Sequence, residues 1–109
     1  MIDTYKNLGQ SAPAANTLTN AYTVGAASSA VVSTIVVCNF GTVDAMFRIS
    51  HALAGAEDAT AQYLFYDVTI KARATQGFTF GPTLATTDVI RVQSSTGYVA
   101  FNIYGVEVT

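Results

Sequence analysis

Seven short runs rich in β-branched and aromatic residues, each closed by a turn former, constrain this chain more than any other feature. They span 21–24, 30–40, 45–50, 61–71, 77–80, 88–94 and 99–108. The separators are 25–28, 41–44, 51–60, 72–76, Gly81-Pro82 with Thr86-Thr87, and 95–97. Each works through a physical cause: Gly permits positive φ, Pro fixes φ, and Ser, Thr and Asp side chains bond nearby backbone. Turn signals at this spacing predict an all-β fold, a single antiparallel β-sandwich. The 109 residues form one domain, and surface scaling lets roughly 65% of the extended chain's area be buried, enough for one core without staples.

Alternation assigns faces. Ile90 and Val92 oppose Arg91 and Gln93; Val99, Phe101 and Ile103 oppose Asn102 and Tyr104; Phe47 and Ile49 alternate with Arg48 and Ser50. In 63–71, Leu64, Tyr66, Val68 and Ile70 fall opposite Asp67, Thr69 and Lys71. The run 31–38 is apolar on both faces, with Val31, Ile35 and Val37 on one and Val32, Val36 and Cys38 on the other. Such a strand needs cover on both sides, from its own loops, from an N-terminal arm or from another subunit. The alanines of 45–60 favour helix, but surrounding Gly and β-branched residues limit it to a turn or two. Residues 1–19 are small, polar and irregular, which predicts an extended N-terminal arm before a β-sandwich body at 20–109.

Only 11% of the residues are charged, five basic and seven acidic, for a net charge of −2. That is less than half the usual ~25%. A disordered charged tail is excluded, and the cations Lys6, Arg48, Lys71, Arg73 and Arg91 leave no electrostatic footprint for nucleic acid. Seventeen Ala, fifteen Thr and seven Ser imply a hydroxyl-rich, weakly ionic surface. Such a surface repels neighbours poorly, which fits a protein packed against others, although a soluble β domain with Thr-rich faces has the same composition. No charge occurs in the 37 residues from Asn7 to Val43, and this third is expected to be covered by partners. Its apolar part, 30–38, is nine residues long, too short for the ~20 of a membrane span. The start lacks a basic stretch leading into an apolar one, so no signal peptide is expected and synthesis is cytoplasmic.

Catalytic chemistry needs a nucleophile and base, paired carboxylates or a metal cage. His51 is the single histidine, and the single Cys38 lies in the most apolar run, where a thiol behaves as a small hydrophobe. Asp44 and Asp88 stand where strands begin and read as turn caps. Asp67 reads as half of a cross-strand ion pair, and Glu57-Asp58 as a solvated loop pair without EF-hand spacing. The eight glycines are dispersed turn markers, not a phosphate loop. The expectation is no enzyme, no cofactor and no metal. A carbohydrate module is the alternative reading from chemistry, with Tyr5, Tyr22 and Tyr98 as exposed rings.

The phrases Tyr5-Lys-Asn-Leu-Gly-Gln-Ser-Ala-Pro13, Leu18-Thr-Asn-Ala-Tyr-Thr-Val24, 29–39, 47–50, 84–95 and 99–105 resemble small virion proteins of tailed bacteriophages. The resemblance covers nearly the whole chain and rests on phrase order rather than a catalytic motif. It implies a non-enzymatic capsid decoration or cement protein, or a tail, neck or baseplate component. A jelly-roll-like body of about 7–8 strands would carry the arm. Expected partners are the major capsid protein or other virion proteins and the chain itself, as dimer or trimer, with no nucleic acid and no membrane. The expected location is the virion. On this reading 1–18 adds as a strand to a neighbour, and the candidate interface residues are Tyr5, Leu8, Pro13, Leu18, Tyr22, Val32, Val36 and Tyr98.

Overall fold

The computed structural model describes residues 2–109. Nine strands form, β1 (Asp3–Ser11), β2 (Thr19–Thr23), β3 (Ser29–Asn39), β4 (Ala45–Ala52), β5 (Tyr63–Ile70), β6 (Thr75–Thr79), β7 (Thr83–Leu84), β8 (Val89–Ser94) and β9 (Val99–Val108). They build two antiparallel sheets, one ordered β1-β9-β3-β6 with β7 also on β3, the other β2-β8-β4-β5. The fold is therefore all-β, two sheets packed face to face. The helix-prone alanines yield two single 3₁₀ turns, Leu53–Gly55 and Thr60–Gln62.

The core lies between the sheets. Phe47, Ile49, Ile90 and Val92 from one sheet meet Ile35, Val37, Phe101 and Ile103 from the other, all fully buried. Phe47 joins them, its ring 6.0 Å from Phe101 and 5.8 Å from Phe78. The accessible area is 5591 Å², close to the roughly 5,800 Å² that scaling gives for a folded chain of this mass.

Three bulges decide what alternation left wrong. At Ser33, β3 shifts register against β9, so Val32 joins Ile35 and Val37 in the core while Val31 turns out. Extra residues in one strand swap the faces of everything beyond them. At Tyr66-Asp67, β5 shifts against β4, so Phe65 packs on the core, Leu64 and Tyr66 are exposed, and Val68 and Ile70 still point inward. At Leu8 the same device drops a buried side chain into the core from β1.

The largest correction concerns the arm. Over Asp3–Ser11 it is a strand of the same molecule, paired with β9 from Asp3↔Val108 to Ser11↔Phe101. Its composition concealed this, because β1 is held by a backbone ladder and a single core residue rather than by an apolar stripe. Close backbone approach also requires small residues: a Cβ on Gly9 would meet the Ala21 carbonyl oxygen and one on Gly105 the Val31 carbonyl oxygen, each at 2.2 Å. The irregular stretch after β1 docks as well, with Pro13 buried and the Asn16 N–H donating to the Ser94 carbonyl at 2.8 Å.

Candidate interaction surface

Residues opposite one another across antiparallel strands share a face, so register maps the outside of the five-stranded sheet. On β1 these are Asp3, Tyr5, Asn7 and Gln10; on β9, Val108, Val106, Tyr104, Asn102 and Ala100; on β3, Ser29, Val31, Thr34, Val36 and Cys38; on β6, Thr79, Gly77 and Thr75. Apart from Asp3 at the margin, none of these is charged. Beyond Asn39↔Val99 the face continues to Phe40 and Tyr98, where the Phe40 N–H donates to the Tyr98 carbonyl at 2.9 Å and the rings meet edge to face at 5.8 Å. Tyr5, Val31, Phe40, Tyr98 and Tyr104 are all exposed, Val36 and Cys38 partly so. The only ordered side-chain polarity in its centre is neutral, with the amides of Asn7 and Gln10 donating to the Asn102 side-chain oxygen at 3.2 and 2.7 Å and the Thr34 and Thr79 hydroxyls 3.2 Å apart.

The expected interface residues divide accordingly. Tyr5, Val36 and Tyr98 lie on this face. Leu8, Pro13, Tyr22 and Val32 are buried within their own chain and are not available to a partner, and Leu18 is half-buried. Tyr22 also leaves the set of exposed rings considered for sugar binding. Its hydroxyl donates to Glu107 at 2.9 Å, with Lys6 3.3 Å from the other carboxylate oxygen, and burial together with that carboxylate pushes the phenol up to about 12. Val31 was missed because its orientation depends on the Ser33 bulge, and Tyr104 and Val106 because only pairing between distant strands brings them beside it. Strict period-two alternation within the last run does place Tyr104 outward.

Elsewhere the ionisable groups do structural work. Asp88 is buried at the mouth of the 85–88 turn, where it accepts from the Ala54 N–H at 2.9 Å and the Ala85 N–H at 3.0 Å, and lies 2.8 Å from His51 Nε2. Burial by itself would raise this carboxyl, but the Ala54 N–H, His51 and the Ala85 N–H outweigh it and hold the group below the usual carboxylate range. The constellation joins two loops, and among the described residues Asp88 is the carboxylate that bonds His51. Asp44 accepts from the Ala72 N–H at 2.9 Å, which ties its turn to the distant 71–74 turn instead of capping its own backbone. Asp67 forms its cross-strand pair with Arg48 at 2.6 Å. Among the described residues no three His, Cys, Asp or Glu side chains gather as metal ligands, and no helix is long and apolar enough to cross a membrane.

In comparisons with known proteins, no protein-family model matches the chain and no curated protein matches its sequence.

Proposed function

We propose that this chain is a non-enzymatic structural protein of a tailed-bacteriophage virion, a decoration or cement protein that lies on the head. In this role the outer face of the β1-β9-β3-β6 sheet, uncharged from Tyr5 to Tyr98, seats it against capsid subunits and copies of itself. The observation that carries this reading is that face, which runs from Tyr5 to Tyr98 without a charged side chain. Burying a charge without a partner is costly, whereas aliphatic, hydroxyl and amide groups can be covered cheaply by a complementary surface. The two longer dimensions of the molecule, 44 and 27 Å, accommodate the ~800 Å² per partner of a standard interface. Repeated over a lattice, modest contacts sum to a stiff shell.

Strand order supports a jelly-roll reading of the sandwich. The chain passes from sheet to sheet at β1→β2→β3→β4, returns at β5→β6, and crosses again at β7→β8→β9. Two interlocked Greek keys produce this alternation, an architecture used by viral coat and lectin domains alike. Fold alone therefore assigns no role, and the weight rests on the surface and on the phage-like phrases of the sequence. With 3–11 inside the sheet, the clamp formed by residues 1–18 is replaced in this proposal by docking through the sheet face.

The test is localisation by electron cryomicroscopy of whole particles carrying either the wild-type chain or Val36→Lys. The reading expects wild-type density on the head lattice and loss of that density for the folded variant. Density along the tail axis would move the protein to the tail, neck or baseplate. Full occupancy by Val36→Lys would remove the sheet face from the interface.

A further inference from the structure

The four-stranded sheet presents a different chemistry on its outside. Between the pairs Phe47↔Val68 and Ile49↔Phe65, two residues of β5, Tyr66 and Asp67, stand opposite the single Arg48 of β4. Asp67 adopts φ 52°, a left-handed backbone that non-glycine residues keep only where the surroundings enforce it. The result is a fixed cluster. Arg48 donates from Nε and Nη2 to the two Asp67 oxygens at 2.6 and 3.2 Å, with its guanidinium 4.1 Å above the centre of the Tyr66 ring. The Tyr63 ring stands perpendicular to Tyr66 at 4.9 Å, and its hydroxyl donates to Asp58 at 3.0 Å. Tyr66 is nevertheless 55% exposed.

Two hollows flank this cluster. Thr60, Tyr63 and Tyr66 line one of about 260 Å³. The other, about 120 Å³, lies against the Arg48–Asp67 pair and is otherwise lined by Asn16, Met46, Gln93, Ser94 and Ser95.

We propose that the Arg48–Tyr63–Tyr66–Asp67 cluster is a binding site for a neutral saccharide, one sugar ring stacking beside Tyr66 while its hydroxyls meet the ion pair. Four properties of the site select this class. An aromatic ring already immobilised by its neighbours loses little freedom on binding, and such a ring offers an apolar face beside polar groups. Guanidinium N–H donors next to carboxylate acceptors suit hydroxyls, which both donate and accept. Asp67 neutralises Arg48 and Asp58 adds a negative charge beside Tyr63, so phosphate, sulfate or carboxylate ligands gain no attraction. A wholly apolar ligand would strip water from the ion pair without replacing its hydrogen bonds. The larger hollow falls just under the ~300–1,000 Å³ of drug-sized pockets, which fits one ring rather than an extended chain. The inference does not rest on the virion reading, since the cluster belongs to the opposite sheet.

The experiment applies the full chain to an array of glucose-, galactose- and mannose-terminated neutral oligosaccharides and their sialylated and sulfated counterparts. The best neutral probe is then titrated into labelled protein by NMR. Expected are retention of a neutral glycan and shifts at Arg48, Tyr63 and Tyr66, with Tyr66→Ala binding at least about tenfold more weakly through loss of one aromatic stack and Tyr104→Ala binding as wild type. Retention of no neutral glycan, stronger retention of the anionic counterparts, or equal binding by Tyr66→Ala overturns the proposal. Should Tyr66→Ala fail to fold, the wild-type shifts decide, and shifts confined to the other sheet overturn it.

Discussion

On the outside of the five-stranded sheet the side chains of Val31, Val36, Tyr104 and Val106 stand beside amides and hydroxyls with no ion among them, while on the outside of the four-stranded sheet both cations are tied down. Arg48 is held by Asp67, and Arg91 by Asn20 at 3.1 Å and by the Ala56 and Gly55 carbonyls at 2.7 and 3.1 Å. The contrast separates two ways of making a surface. A neutral, broad face adapts to a large partner because covering it strands no charge. A locked ionic and aromatic cluster is narrow and pre-organised, which suits a small polar ligand. The positive φ of Asp67 belongs to the second kind, and the long ladder of β3 with β9 to the first.

Four measurements break or sharpen this contrast, beginning with the largest effect. Removing residues 1–11 takes away β1, the ladder along β9 and the buried Leu8. The Leu8 side chain alone is worth about 2–5 kcal/mol, so thermal denaturation should show a Tm at least ~10 °C lower, or no cooperative transition. A wild-type Tm would return β1 to the status of an arm and open β9 as an edge of the neutral face.

Asp88→Ala comes next. It strands the Ala54 and Ala85 N–H groups, and urea unfolding should show a loss of about 3 kcal/mol. The carboxyl is held below its ordinary value in the folded chain. Its contribution is therefore present above the unfolded value near ~3.9 and disappears as pH falls through the lower folded one. Asp88→Asn should flatten that acid limb of the stability curve, and an unchanged limb would show that the two loops are held by other contacts.

Ser50 lies fully buried on β4, opposite Arg91 and Tyr63, with its hydroxyl unpartnered. Relieving that desolvation by Ser50→Ala should raise stability by about 1 kcal/mol, and a loss instead would place a hydrogen bond beneath the ionic face. Val36→Lys has the smallest effect on the isolated chain, within ~0.5 kcal/mol by denaturant titration, as expected of a partly open surface position. Loss of association with little loss of stability would sharpen the division between the faces. A large stability loss would show that Val36 belongs to the core.

Much of the sandwich was legible because burial leaves a period of two in the sequence. Phe47 and Ile49, Ile90 and Val92, and Val99, Phe101 and Ile103 all point where alternation places them. Asp88 was legible as a turn cap for a local reason, since it accepts from the Ala85 N–H three residues back, whereas Asp44 reaches across to the Ala72 N–H of a distant turn. The sandwich's outer faces were harder to read. Alternation grouped Val32 with Val36 instead of with Ile35 and Val37, and Tyr66 with Val68, because one inserted residue at a bulge reverses the parity of a strand without altering its composition.

The sequence by itself determined that this chain makes strands, how many long ones follow 20, and that its surface is poor in charge. Those properties are local or compositional. Tertiary structure alone decided that Asp3–Ser11 joins the sheet, that distant segments assemble one face uncharged from Tyr5 to Tyr98, and that Arg48 lies between Tyr66 and Asp67. Each depends on pairing between residues far apart in the chain, where backbone hydrogen bonds carry no residue label and register emerges only when both strands are in place.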